Sequence, residues 1–328
     1  MKVLLTGGAG FIGANLTHYW TSHYPEDELV ILDALTYAGH RESIRELEGR
    51  PRYRFVQGDI GDREKVRALL DGTDLVLHLA AESHNDRAIR DPMRFLQTNV
   101  MGTAALLEEC RRRDIPRFHH VSTDEVFGML PLNTPDRFTE DSPYRPRGPY
   151  SASKAAGDHL VRAWGETYGL HYTISNCGNN LGPFQFPEKL IPLSIIRLLR
   201  GQKIQLYGDG RHVRDWIYVA DHCEAVDQIA HRGTPSTTYL VSAENEVSNR
   251  DVALRLIRLF GRDEGWIEYV ADRPGHDRRY ALDPRRLRED LGWHPKYSFD
   301  DALRATVEWY RAHQDWWEPL LHTPGATA

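Results

Sequence analysis

The sequence predicts an α/β protein: a doubly wound parallel (Rossmann) sheet with a smaller mixed α/β C-terminal substrate domain. Three observations predict it. The apolar run Lys2–Thr6 leads directly into the glycine string Gly7-Gly8-Ala9-Gly10-Phe11-Ile12-Gly13. Apolar runs of strand length then alternate with helical periodicity through five repeats. After about Asn176 the alternation becomes irregular and Pro and Gly punctuate the chain.

The elements follow in order. Lys2–Thr6 reads as a buried parallel strand, followed by a helix through about Tyr24. Between them, Gly7, Gly10 and Gly13 give G-x-x-G-x-x-G. Glycine there permits a tight turn and close approach of the backbone to a pyrophosphate, and the helix N-terminus supplies free N–H groups and a positive dipole end. A second strand, Leu29 to Leu32, ends in Asp33, 20 residues after Gly13. An acid at that place can accept hydrogen bonds from ribose hydroxyls and would repel an extra phosphate, which selects NAD over NADP. A third strand, from Tyr53, ends near Asp59 and Ile60. These two residues suit the flank of an adenine, or equally a helix N-cap and a core residue. A helix over Arg63–Leu70 leads to a strand from Leu75 to Leu79, then to Ala80, Ala81, Glu82 and Ser83. The small residues there let a cofactor lie against the backbone. A helix over about 98–112 and a strand from Phe118 to Ser122 complete five repeats, whose ligand crevice is expected at the strands' C-terminal ends.

The 328 residues are 41% hydrophobic and 27% charged, the balance of a globular protein with a substantial core. The net charge of −6 leaves no overall basic footprint for nucleic acid. Cys110, Cys177 and Cys223 are too widely spaced for a metal cluster or a disulfide framework and fit a reducing cytoplasm. No His/Asp/Glu spacing suggests a metal. No apolar run reaches membrane-spanning length, and Met1-Lys2 enters a motif-bearing strand directly, so neither a span nor a removable signal is expected.

The chemistry concentrates in two places. Thr123-Asp124-Glu125 closes the fifth strand, where paired carboxyls are costly unless a substrate meets them. The pair Tyr150 and Lys154 opens the next helix, which runs to about Tyr168, 27 residues beyond Thr123. A spacing of four puts both side chains on one helix face. A neighbouring ammonium would lower the phenol from its ordinary pKa of about 10 toward that of a useful base. A tyrosine base can start an oxidation, and an adjacent acid and base can then remove water. Which carboxyl is acid and which is base is not readable from spacing.

At this point the chain resembles the extended short-chain dehydrogenase/reductases and, more narrowly, the dTDP-glucose 4,6-dehydratase family. The resemblance rests on T-G-G-A-G-F-I-G, A-A-E-S-H at 80–84, S-T-D-E-V at 122–126 and Y-S-A-S-K at 150–154. It continues through N-C-G-N-N-L-G-P at 176–183, F-P-E-K-L-I-P at 186–192, Y-G-D-G-R-H-V-R-D-W at 207–216 and D-R-P-G-H-D at 272–277. It implies a nucleotide-diphosphate hexose substrate, with Tyr150 as base toward the 4-hydroxyl and Thr123 on the 4-oxygen. Glu125 would be the base at carbon 5, and Asp124 the acid toward the 6-hydroxyl. It further implies NAD contacts at Phe11, Ile12, Leu35, Thr36, Leu79, Ser83, Thr98 and Asn180, beside the residues already named. Substrate contacts would fall at Ser83, His84, Asn179, Lys189, Leu190, Tyr207, Arg214, Asn249, Arg273 and His276. A homodimer would pair the helix over 98–112 and the one beginning near Tyr150 with their mates.

The expected organisation is an NAD-binding part, residues 1–176 with about 211–241, and a sugar-nucleotide part, about 177–210 with 242–328. The tail from Glu318 to Ala328 is expected to be mobile. Four positions depart from the pattern. Phe127 and Leu181 stand where tyrosine is expected, Asn85 replaces an apolar residue, and His212 replaces asparagine. They leave the catalytic set intact but open the identity of base and sugar. A related NAD-dependent epimerase or decarboxylase would share Tyr150 and Lys154 without needing the acid pair. A catalytically silent NAD-binding sensor would be free to lose both.

Overall fold

The computed structural model describes residues 1–322. Its first six strands are β1 (Lys2–Thr6), β2 (Glu28–Asp33), β3 (Tyr53–Gln57), β4 (Leu75–His78), β5 (Arg117–Thr123) and β6 (Tyr172–Cys177). Then follow β7 (Asn179–Leu181), β8 (Ile204–Tyr207), β9 (Val213–Tyr218), β10 (Thr237–Val241), β11 (Glu246–Ser248) and β12 (Ile267–Val270). The large sheet has the order β3-β2-β1-β4-β5-β6-β10, and all its pairs are parallel. Strand order reverses between β1 and β4, so the crevice predicted for such a sheet opens there.

The helices that cover this sheet are α1 (Phe11–His23), α2 (Arg63–Leu69), α3 (Asn85–Arg90), α4 (Pro92–Leu96), α5 (Thr103–Arg112) and α6 (Pro149–Tyr168). Later come α7 (Leu190–Leu199), α8 (Val219–Arg232), α9 (Asn249–Leu259), α10 (Arg285–Leu291), α11 (Phe299–Ala312) and α12 (Gln314–Trp317). Strands buried on both faces read as unbroken apolar runs, as β1 and β2 do. On one face Leu4, Val30, Val76 and Phe118 pack with Val66, Leu106 and Val161 of α2, α5 and α6. On the other, Val3, Leu5, Ile31 and Leu77 pack with Leu16 and Trp20 of α1 and Val226 of α8.

A separate core joins Ile195 of α7, Leu206 of β8, Trp216 of β9, Leu256 of α9 and Leu303 of α11. Beside it lie a three-stranded sheet, β11-β9-β7, and the pair β12-β8. The chain therefore leaves the large sheet after β6 and rejoins it with α8 and β10.

Two local differences from expectation bear on the site. The helix expected over 98–112 is interrupted: α4 enters a wide turn at Gln97–Gly102 with π-type hydrogen bonding before α5 begins. Such insertions bulge one residue out of register and often sit at functional sites. Of the tail expected to be mobile, Pro319–His322 form a 3-10 turn, and residues 323–328 lie outside the described residues.

Candidate active site

A cleft of about 710 Å³ runs along the C-terminal ends of β1 to β6, within the size range of small-molecule sites. Its inner end is the glycine turn. Gly7 has φ +75, and a Cβ there would lie 2.6 Å from the Ala80 backbone nitrogen, while one on Gly13 would collide with the Gly7 carbonyl. A Cβ on Gly10 would touch only the Gly7 oxygen at 3.5 Å. The first and third glycines thus pack the turn against β4 and α1, and Gly10 faces the cleft, the cradle a pyrophosphate requires.

Asp33 ends β2, with Oδ2 accepting from the Ala9 N–H at 2.9 Å and Oδ1 from the Leu35 N–H at 2.8 Å. Burial raises its pKa while these two N–H groups pull it back. Each oxygen keeps a lone pair for a ribose hydroxyl. These features fit NAD at this end of the cleft.

Phe11, Ile12, Thr36, Asp59, Ile60, Leu79, Ala80, Ala81, Ser83, Thr98 and Asn180 also line the cleft. Leu35 does not, contrary to expectation. Its backbone is left-handed, φ 51, and its side chain packs beside the α1 core, while Ala34 and Tyr37 line the cleft instead. Asn180 lines the cleft but turns its amide inward, donating to the Gly178 carbonyl at 3.1 Å and facing His222 Nδ1 at 3.0 Å.

In the middle of the cleft, β5 delivers Thr123, Asp124 and Glu125 opposite Tyr150 and Lys154 of α6. The helix is placed by Gly148, whose N–H donates to Ser151 Oγ at 3.1 Å, and by Pro149, which suits a first helical turn. Thr123 Oγ1 caps the 3-10 turn Asp124–Phe127 by accepting from the Glu125 N–H at 3.3 Å, and it donates to Asp124 Oδ1 at 3.2 Å. Asp124 is 2% exposed. Burial first, then the charges of Glu125 and Asp215, hold its carboxyl well above the ordinary range. Its Oδ2 has no hydrogen-bond partner among the described residues. Burial thus favours the protonated form of Asp124, with Oδ2 able to carry the proton.

Lys154 is held from behind. Its Nζ donates to the Val121 carbonyl at 2.8 Å and lies 3.5 Å from His120 Nε2, which faces Asp158 Oδ1 at 3.3 Å. Asp158 also accepts from Tyr144 at 2.7 Å and Asn176 at 3.1 Å. Burial alone would raise Asp158, but His120 and Lys154 bring it down to about 2. This fully buried carboxylate balances the lysine charge.

The phenol of Tyr150 differs from expectation. Burial, then the Glu125 charge, push it well above its ordinary value rather than below it.

The outer end of the cleft is cationic. Lys189, Arg214 and Arg273 line it with Ser83, His84, Asn179, Leu190, Tyr207, Asn249 and His276. Lys189 donates to the Ser83 carbonyl at 3.0 Å, and Arg214 is braced by the Asp277 and Val213 carbonyls at 2.9 and 2.8 Å. The Oδ1 atoms of Asn179 and Asn249 are buried without a partner among the described residues. Sequence reasoning missed Glu188, Tyr37 and Tyr280, which line the same cleft. Burial, then nearby cations, lower His84 to about 2 and His276 to about 3, so both rings are neutral.

The four departures separate. Phe127 and Leu181 are core residues, with Phe127 stacked on Phe138 at 5.2 Å, so they do not alter hydrogen bonding in the cleft. His212 stacks on His276 at 3.6 Å, and Asn85 lines the cleft. His212, Asp272 and His276 bring ligand-type atoms within 4.8 Å of one another. Parallel rings do not converge their lone pairs on one point, and the charges of Arg214, Arg273 and Arg278 oppose a cation there.

A parallel sheet whose switch-point cleft joins a dinucleotide cradle to a buried Tyr–Lys helix defines the short-chain dehydrogenase/reductase class. Within it, the chain belongs to the GDP-mannose 4,6 dehydratase family, whose model matches residues 4–306. It is 51% identical to the dTDP-glucose 4,6-dehydratase of Mycobacterium tuberculosis over 98% of this chain and 96% of that one. Its structure resembles a dTDP-glucose 4,6-dehydratase from Streptomyces venezuelae solved with NAD, with TM-score 0.95 and 44% identity over 98% and 100% of the two chains. A UDP-glucose 4-epimerase from Thermus thermophilus shares the fold at TM-score 0.87 and 30% identity over 95% and 100%.

The raised Asp124 carboxyl has a stability consequence. An unfolded aspartate titrates near ~4, so the group contributes stability below that pH and loses it as pH rises through the higher folded value. Asp124→Asn is expected to raise Tm at neutral and alkaline pH, with the gain vanishing toward about pH 4, as followed by calorimetry across pH.

Proposed function

We infer that this chain is an NAD-dependent nucleotide-hexose 4,6-dehydratase that converts dTDP-glucose to dTDP-4-keto-6-deoxyglucose. The observation that carries this reading is the Asp124–Glu125 pair set opposite Tyr150 in one cleft, with the Asp124 carboxyl buried and raised by that burial. An epimerase returns a hydride to the carbon that gave it and has no use for an acid and a base side by side.

NAD in the glycine cradle supplies the hydride acceptor for carbon 4 and, once reduced, the hydride donor for carbon 6. The chain's own residues move the protons. Tyr150 takes the proton of the 4-hydroxyl, and the Thr123 hydroxyl turns from Asp124 Oδ1 to donate to the 4-oxygen as it becomes a carbonyl. The 4-keto group acidifies the proton on carbon 5, and Glu125 removes it. Asp124 gives its proton to the departing 6-hydroxyl, which leaves as water. As carbon 6 receives the hydride, Glu125 returns a proton to carbon 5, and the proton taken by Tyr150 offsets the one lost by Asp124. Burial favours the protonated form of Asp124, which suits it to the acid's part beside Glu125. Lys189, Arg214 and Arg273 suit the diphosphate: the first two are braced by carbonyls, and Arg273 is held by the Asp86 carboxylate at 3.4 Å. Asn179, Asn249 and His276 supply neutral contacts beside them.

We further propose that residues 1–176 with about 211–241 bind NAD, and that about 177–210 with 242–328 bind the sugar nucleotide. The large sheet and the separate core support that division. A cytoplasmic location is supported by three free cysteines and by the absence, among the described residues, of a helix long and apolar enough to cross a membrane. A homodimer is supported by Ile89, Met93, Leu96 and Met101, large apolar side chains exposed along α3, α4 and the wide turn.

Two measurements check this. With dTDP-glucose and no added reductant, the product is expected to be lighter by one water and to show the alkali-induced absorbance of a 4-keto sugar. UDP-glucose is expected to react poorly. A product of unchanged mass would indicate epimerisation instead. Light scattering is expected to give twice the chain mass, and Met93→Lys with Met101→Lys to give monomers.

A further inference from the structure

Asn85 is the first residue of α3 and lines the cleft. Its Nδ2 donates to Glu125 Oε2 at 3.0 Å. The two residues are 40 positions apart, and the bond joins the start of α3 to the turn that closes β5. The amide is half-buried, and its oxygen faces Gly148, the residue that caps the helix bearing Tyr150. It is not spent on capping α3, since the helix N-cap is His84 and no side chain caps it.

We propose that Asn85 is a positioning residue for carbon-5 proton abstraction, a role that rests on the reading of Glu125 as the base. Glu125 stands on a short 3-10 turn, and its side chain has three rotatable bonds. Without a partner it would sample several rotamers across the cleft. A bond to one oxygen fixes the carboxylate plane and turns the other oxygen, Oε1, toward the substrate. The chemistry of the donor matters. An amide N–H gives a hydrogen bond but cannot give up its proton at neutral pH, so it orients the base without quenching it. A lysine or arginine there would bind the carboxylate as an ion pair and compete with the sugar. A carboxyl there would repel it. The apolar side chain expected at this position by resemblance could only pack against it. Asn85 thus adds an orienting contact to the elimination step and leaves oxidation at carbon 4, which uses Tyr150 and Thr123, untouched.

The test compares Asn85→Val and Asn85→Asp with wild-type holoenzyme on dTDP-glucose. Asn85→Asp is isosteric and keeps the packing, so it reports on the N–H donor even if the valine variant folds poorly. Three readouts are taken: the single-turnover rate of NADH formation, the steady-state fraction of enzyme holding NADH, and the rate of solvent deuterium uptake at carbon 5. NADH formation should stay at the wild-type rate. Deuterium uptake and kcat should fall on the order of tenfold or more for Asn85→Val, and further for Asn85→Asp, the fold-change expected for one lost hydrogen bond to a charged group. The NADH-bound fraction should rise, and KM should change less than kcat. Wild-type values of all three readouts in Asn85→Asp would overturn the proposal. So would a uniform fall of oxidation and exchange together, which marks a merely structural role. If wild-type enzyme itself released no dehydrated product, the functional reading would fail, and the comparison of variants would not be needed to see it.

Discussion

Asp124 sits at the end of a strand buried on both faces, with a second carboxyl beside it and a third, Asp215, near enough to be felt. Burial and the two neighbouring carboxylates disfavour ionisation of Asp124. β4 and β6 flank β5 and helices cover both faces of the sheet, with the cleft at the strand end. Glu125, one residue on, is half-buried, so the two adjacent carboxyls stand in different surroundings.

The same constraint acts on the partners. Tyr150 is buried opposite these carboxyls, and its phenol is harder to ionise than in water. Lys154 lies close by, but its charge is balanced by Asp158 through His120 and the Val121 carbonyl. The polar network behind α6 offsets the burial of that ammonium.

Much of this was legible in the sequence. Buried parallel strands write themselves as apolar runs, so β1, β2, β4 and β5 were visible, and with them the glycine turn, Asp33 and the Thr123–Glu125 triplet at their ends. The Tyr150–Lys154 pair follows from helical spacing alone. Other features depend on contacts between distant segments. Leu35 packs its side chain beside the α1 core from a left-handed backbone, which spacing does not show. Tyr37, Glu188 and Tyr280 reach the cleft from three separate segments. The wide turn at Gln97–Gly102 keeps a helical pattern and leaves no trace in periodicity. The reversed shift of Tyr150 could not be read from spacing, since it depends on what surrounds the phenol and what already holds the lysine. Asn85 and His212 stood out as departures, but only the fold separates them from Phe127 and Leu181, which are core packing.

On the proposed roles, oxidation at carbon 4 and water loss across carbons 5 and 6 are separate steps carried by separate side chains. Stopped-flow absorbance of the nicotinamide in Glu125→Gln, mixed with dTDP-glucose in a single turnover, separates them. NADH is expected to form at a rate close to wild type and then persist, because the carbon-5 proton has no acceptor. NADH that never forms, or that forms and decays as in the wild type, would contradict those roles.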